Sequence, residues 1–127
     1  MNHLHFLSVA EDLELAGLIW KPEVGDEVTD KKRKDLVSIF VDSQGLTTQE
    51  LREVFLWLPT VEQIVQQFEA RQAILYHAGF ELSEQAMFYK TVIRAPVGHI
   101  EKTAQSLRLS MGLALRDLLL TDSKIVN

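Results

Sequence analysis

The chain has 127 residues, the size of one domain that closes a core without a covalent staple, and it contains no cysteine, which excludes a disulfide framework and thiolate metal sites. Thirteen basic residues against eighteen acidic ones give a net charge of −5, which opposes polyphosphate at long range. The opening Met1-Asn2-His3-Leu4-His5-Phe6 carries no basic residues and no long apolar run, and no stretch approaches the roughly 18 apolar residues of a membrane span, so neither a secretion signal nor a membrane segment is expected and cytoplasm is the default.

In chain order, if residues 3–7 are a strand, His3 and His5 lie on one side, the spacing two imidazoles need to share a metal, although no third ligand is near. Ser8-Val9-Ala10-Glu11 has the form of a capping box, followed by Val9, Leu13 and Ala16 at helical spacing and ended by Gly17. Val24-Gly25-Asp26 is a turn. Lys31-Lys32-Arg33-Lys34 is the one basic run, yet Asp26, Glu27, Asp30 and Asp35 leave 26–35 formally neutral, and a solvated loop is expected there. Residues 36–42 read as a strand entering an Asp42-Ser43-Gln44-Gly45 turn.

Thr47-Thr48-Gln49-Glu50 repeats the capping box, with Leu46 and Leu51 placed for a hydrophobic staple. Over 54–58 the upstream cap argues helix, while aromatic and β-branched content and Pro59 argue an extended end, and the two stay open. Thr60-Val61-Glu62-Gln63 is a third box. It starts a helix over 61–72 whose Val61, Ile64, Val65 and Phe68 share a face. Alternation over 74–82 and 86–95 predicts a hairpin joined near Ser83–Gln85; at 73–79 a longer helix ending on Gly79 is the competing reading.

After Pro96, Gly98 serves as the expected N-cap of a helix over 99–120. Ile100, Ala104, Leu107, Met111, Ala114, Leu115, Leu118 and Leu119 form one broad stripe on it. Leu109, Leu113 and Leu120 form a second, narrower ridge. A helix covered on both faces is either central or paired with another chain.

No catalytic, cofactor or metal residues are assigned. Carboxylate pairs such as Glu11 with Glu14 and Glu81 with Glu84 read as solvated faces, no serine sits in a nucleophile elbow, and no glycine loop cradles phosphate. His77 and His99 read as surface residues. Trp20 and Trp57 read first as core and second as interface anchors. Each closely precedes a proline, and the stretches Ala16-Gly17-Leu18-Ile19-Trp20-Lys21-Pro22-Glu23-Val24-Gly25-Asp26 and Trp57-Leu58-Pro59-Thr60-Val61-Glu62-Gln63 resemble segments of small uncharacterised proteins of bacteria and their phages. That resemblance covers under a fifth of the chain and implies no activity or site.

The expectation is a single α+β domain over 1–127. A small, mainly antiparallel sheet (36–42, 74–82, 86–95) packs on helices at 61–72 and 99–120, with a short N-terminal helix beside it. The function expected is non-enzymatic: a small cytosolic accessory protein acting through protein–protein contact, as a homodimer or with another protein, with Leu109, Leu113, Leu120, Trp20 and Trp57 as interaction candidates. The runner-up is a phage- or mobile-element-related regulator that uses Lys31–Lys34, Lys90 and Arg94 on nucleic acid. A third reading is an enzyme or small-ligand binder with a pocket near the tryptophans.

Overall fold

A computed structural model describes residues 3–126, with the side chains of residues 6–121. The elements run α1 (His3–Leu15), β1 (Glu27–Asp30), β2 (Arg33–Ile39), α2 (Thr48–Val54), β3 (Phe55–Trp57), α3 (Val61–Ala70), β4 (Ile74–Leu82), β5 (Met87–Ala95), β6 (Gly98–Ala104) and α4 (Leu107–Val126). The fold is α+β, but its strands divide between two antiparallel sheets, ordered β2-β1-β3 and β4-β5-β6, so the strand expected at 36–42 does not join the later hairpin.

Helix α1 begins by His3. Residues 3–7 are therefore helix, so the condition for His3 and His5 to share a strand face is not met, and Ser8 and Glu11 lie inside α1 rather than at a start. The side chains of His3 and His5 lie outside the described residues. Phe6, Val9, Ala10 and Leu13, spaced as one helical face, are buried. Gly17 ends the helix at φ +105°: its N–H donates to Glu14 O (3.1 Å) and that of Leu18 to Leu13 O (2.9 Å), the paired bonds of a Schellman motif.

The charge-dense segment 26–35 is a hairpin, not a loop. β1 pairs with β2 from Glu27 opposite Ile39 to Asp30 opposite Arg33. The Asp30 carboxylate accepts the Lys32 N–H (2.7 Å), and the buried Thr29 hydroxyl donates to Leu36 O (2.8 Å). β1 hides from pattern reading because Val28 and Thr29 are both buried, one on each face of the sheet, so no polar residue marks an outer side. The capping boxes at Thr47 and Thr60 are both formed. In the open segment 54–58, Val54 closes α2 while Phe55–Trp57 is strand and pairs with β1, and 74–82 is strand.

The helix expected over 99–120 starts late. Residues 98–104 are β6, paired with β5 from Ala95 opposite Gly98 to Tyr89 opposite Ala104. Gly98, at φ +135°, makes the turn rather than a cap. Ser106 is the true cap, its Oγ accepting the Leu109 N–H (3.2 Å). From there α4 lies on the β4-β5-β6 sheet and carries α1 and α3 on its other side. Met111, Ala114, Leu115, Leu118 and Leu119 are buried as the broad stripe requires. Helix α1 comes close because position 112 is glycine: a Cβ there would sit 2.8 Å from Val9 Cγ1 and 3.1 Å from Phe6 Cε1.

A second, smaller cluster of Trp20, Val28, Phe40 and Leu51 lies beneath α2. Arg108 ties the two halves together. Its guanidinium lies 4.2 Å over the Phe6 ring, donates to Leu58 O (2.6 Å) and Pro59 O (2.9 Å), and faces Glu27 Oε1 at 3.4 Å.

Candidate functional site

The five sequence-predicted interaction residues do not converge. Leu109 and Leu113 are half-buried and packed against the main core, and only Leu120, 47 % exposed, stands clear of it. The second ridge of α4 is thus largely intramolecular, because the sheet and helices α1 and α3 cover the helix on both sides. Trp20 is 4 % exposed, edge-on to Phe40 and Phe55 at centroid distances of 5.5 and 6.4 Å. Trp57 is half-buried between the two clusters.

The cations of the nucleic-acid reading are largely occupied, and they lie on two different sheets. Lys31 reaches Glu14 (2.9 Å), Lys34 pairs with Glu11, and Lys90 sits 3.3 Å from Glu81 and 3.9 Å from Glu101. The Arg94 guanidinium lies 5.7 Å over the Tyr76 ring. Of the carboxylate pairs, Glu11, Glu14 and Glu81 are partners in these bridges and Glu84 is in none of them, and His77 Nε2 lies 3.0 Å from Glu81 Oε2. Among the described residues no group of three or more His, Cys, Asp or Glu gathers as a metal site would require. No helix of the described residues is long and apolar enough to cross a membrane.

Two features stand out, the first unmarked in the sequence and the second beside one of the tryptophans, where the third reading puts a pocket. The first is an apolar face on the β4–β5 arm. The buried Thr91 hydroxyl meets the Ser110 hydroxyl at 2.8 Å, which fixes where the first turn of α4 lies over β5. Beyond that point the arm extends without cover. Phe80 lies opposite Tyr89 and Leu82 opposite Met87, and strand alternation puts all four on the face that carries Thr91 and Ile93. Phe80, Leu82 and Met87 are 54, 70 and 68 % exposed, and the Phe80 and Tyr89 rings touch at 5.1 Å. The opposite face of the same strands carries the His77–Glu81–Lys90 charges.

The second is a groove of about 550 Å³ between α3 and the 17–26 loop, with Trp57 in its wall. Its floor is the buried Asp26. Oδ2 accepts from Trp20 Nε1 (2.8 Å) and the Glu23 N–H (2.9 Å), and Oδ1 accepts from Gln63 Nε2 (2.8 Å). Three donors satisfy a carboxylate that would otherwise be costly to bury. Gln63 is committed twice, since its Oε1 also takes the Thr60 N–H (2.9 Å) in the capping box. The sequence marked Asp26 only as a turn residue, and its partner lies 37 positions away.

Neither a scan against protein-family models nor searches of the curated proteins and of the solved structures returned a match to this chain.

Proposed function

We propose that the chain is a cytoplasmic, non-enzymatic accessory protein that acts through protein–protein contact, and that it self-associates through the apolar face of the β4–β5 arm. One observation carries this reading: Phe80, Leu82 and Met87 are mostly exposed and contiguous on a single face, joined by Tyr89. Contiguous apolar patches of a few hundred Å² on a monomer mark contact sites, and aromatic residues and methionine are enriched in them. A second copy is the chosen occupant because a two-fold axis lays the same apolar patch on itself, leaving the charged face of each arm in water. Nucleic acid is not the expected partner, since Lys31, Lys34 and Lys90 already face carboxylates.

Sedimentation velocity tests the reading. The wild-type chain should sediment as a dimer at high micromolar concentration, and Phe80→Glu with Met87→Glu should convert it to a monomer with an unchanged far-ultraviolet spectrum, because both side chains are exposed. A wild-type monomer at that concentration, or a dimer indifferent to the double substitution, overturns it. A shift to monomer in Leu120→Glu instead would move the interface to α4.

A further inference from the structure

We propose that the groove between α3 and the 17–26 loop binds an uncharged, polyhydroxylated ligand of the saccharide type. The proposal stands apart from self-association, which uses the β4–β5 arm, because no residue of that arm lines the groove.

Helix α3 turns Ile64 and Phe68 into the core and presents a different stripe to the groove: Gln63, Gln66, Gln67 and Ala70, at the i, i+3, i+4, i+7 spacing of one helical face. Amides occupy the first three positions, and the small side chain of Ala70 leaves the end of the groove open. Gln67 Oε1 is taken by Arg71 Nη1 at 2.6 Å. Among the described residues its Nε2, both ends of the Gln66 amide, the Lys21 ammonium and the Glu23 carboxylate make no hydrogen bond within the chain. Each of these lines the groove.

Charge selects the ligand class. Lys21 and Arg71 are balanced by Glu23 and Asp26, so the lining is formally neutral. Phosphate would meet two carboxylates, and an ammonium ion would meet two cations, each desolvated without net return. A hydroxyl carries no charge and both donates and accepts, so it matches Glu23 as a donor, Lys21 as an acceptor and the Gln66 amide from either end. Ile19, Ala70 and the Trp57 indole supply apolar surface for the C–H faces of a sugar ring. The volume of about 550 Å³ falls within the range of small-molecule sites.

Two further observations fit. The floor is already rigid, since Asp26 holds Trp20, Glu23 and Gln63 in place, so binding costs little ordering. The Trp57 Nε1–H is buried and has no acceptor among the described residues. That atom is closed off from solvent, so the indole must turn before a ligand oxygen in the groove can reach it.

Proton–nitrogen correlation NMR on the full chain tests the proposal, with maltose, cellobiose and N,N′-diacetylchitobiose as probes and inorganic phosphate and tetramethylammonium as charged controls. At millimolar concentration at least one disaccharide should shift amides of residues 19–26 and 63–71 together with the Trp57 indole N–H. Gln66→Ala and Lys21→Met, both at exposed positions that leave the fold intact, should each weaken binding about tenfold. The proposal is overturned if no disaccharide shifts these signals, if the shifts map elsewhere, if both variants bind as the wild type does, or if a charged control moves the same signals as strongly.

Discussion

The two cores of this protein are closed by different physics. The large one, around Leu13, Phe68, Ile93 and Leu115, is covered by α1, α3, α4 and the β4-β5-β6 sheet, and it holds together by apolar burial from several directions. The small one has four buried residues beneath a short helix. Around it polar contacts set the geometry: Trp20 is fixed through its indole N–H on Asp26 and through its carbonyl, which accepts from Arg52 Nε at 2.7 Å. Where apolar area is scarce, directional bonds decide which arrangement is unique.

That contrast breaks most sharply on a matched pair of truncations. Leu115→Ala removes a side chain that is fully buried in the large core and should cost about 2–5 kcal/mol, at the upper part of the range because neighbours on every side resist collapse. Leu51→Ala in the small core should lie at the lower end, since α2 is short and can settle inward. Urea denaturation followed by circular dichroism measures both. Equal costs would mean that the two clusters form one core.

The polar counterpart is Asp26→Asn, expected to cost about 1–3 kcal/mol despite its near-identical shape. The asparagine oxygen can keep the two donors Trp20 Nε1 and Glu23 N–H, which turns its own NH₂ against Gln63 Nε2. Gln63 cannot reverse its amide without withdrawing Oε1 from the Thr60 N–H. Loss of stability should therefore come with faster exchange of the Thr60 amide proton. A neutral substitution would show that the Trp20 cluster stands on burial alone.

What the sequence revealed follows the same division between local and distant causes. Both threonine capping boxes, the Gly17 stop and the β4–β5 hairpin with its turn at Ser83 are legible because each is settled within a few residues. β6 was hidden by coincidence of period. Ile100, Ala104, Leu107 and Met111 satisfy a helical wheel, while the observed alternation places Lys102 in an inward slot beside Ile100 and Ala104. The slot is tolerable because the ammonium reaches Asp117 at 2.7 Å, a partner that only the folded chain supplies. The candidate site was legible only at Trp57. Gln63 reads as the polar side of a helix, and neither its bond to Asp26 nor the clamp made by Arg108 follows from spacing, since their hydrogen-bond partners lie 37 to 81 residues away.

The smallest effect separates the two cores by pH. Helix α2, over the small core, is capped through Glu50, whose carboxylate accepts the Thr47 N–H (2.9 Å); helix α3, over the large core, is capped through Gln63 with the same geometry. The backbone hydrogen bond from Thr47, followed by the one with its side chain, holds the Glu50 carboxyl below its ordinary value. A folded-state value lowered in this way gives stability that is fully present above the unfolded value and is lost as pH falls through the folded one. Gln63 does not titrate. Acidification should therefore speed exchange of the Thr47 amide proton ahead of the Thr60 amide proton, and Glu50→Gln should remove the difference in pH response. If both caps open together as pH falls, or if Glu50→Gln leaves the Thr47 profile unchanged, the carboxylate is not what sets the small core apart in acid.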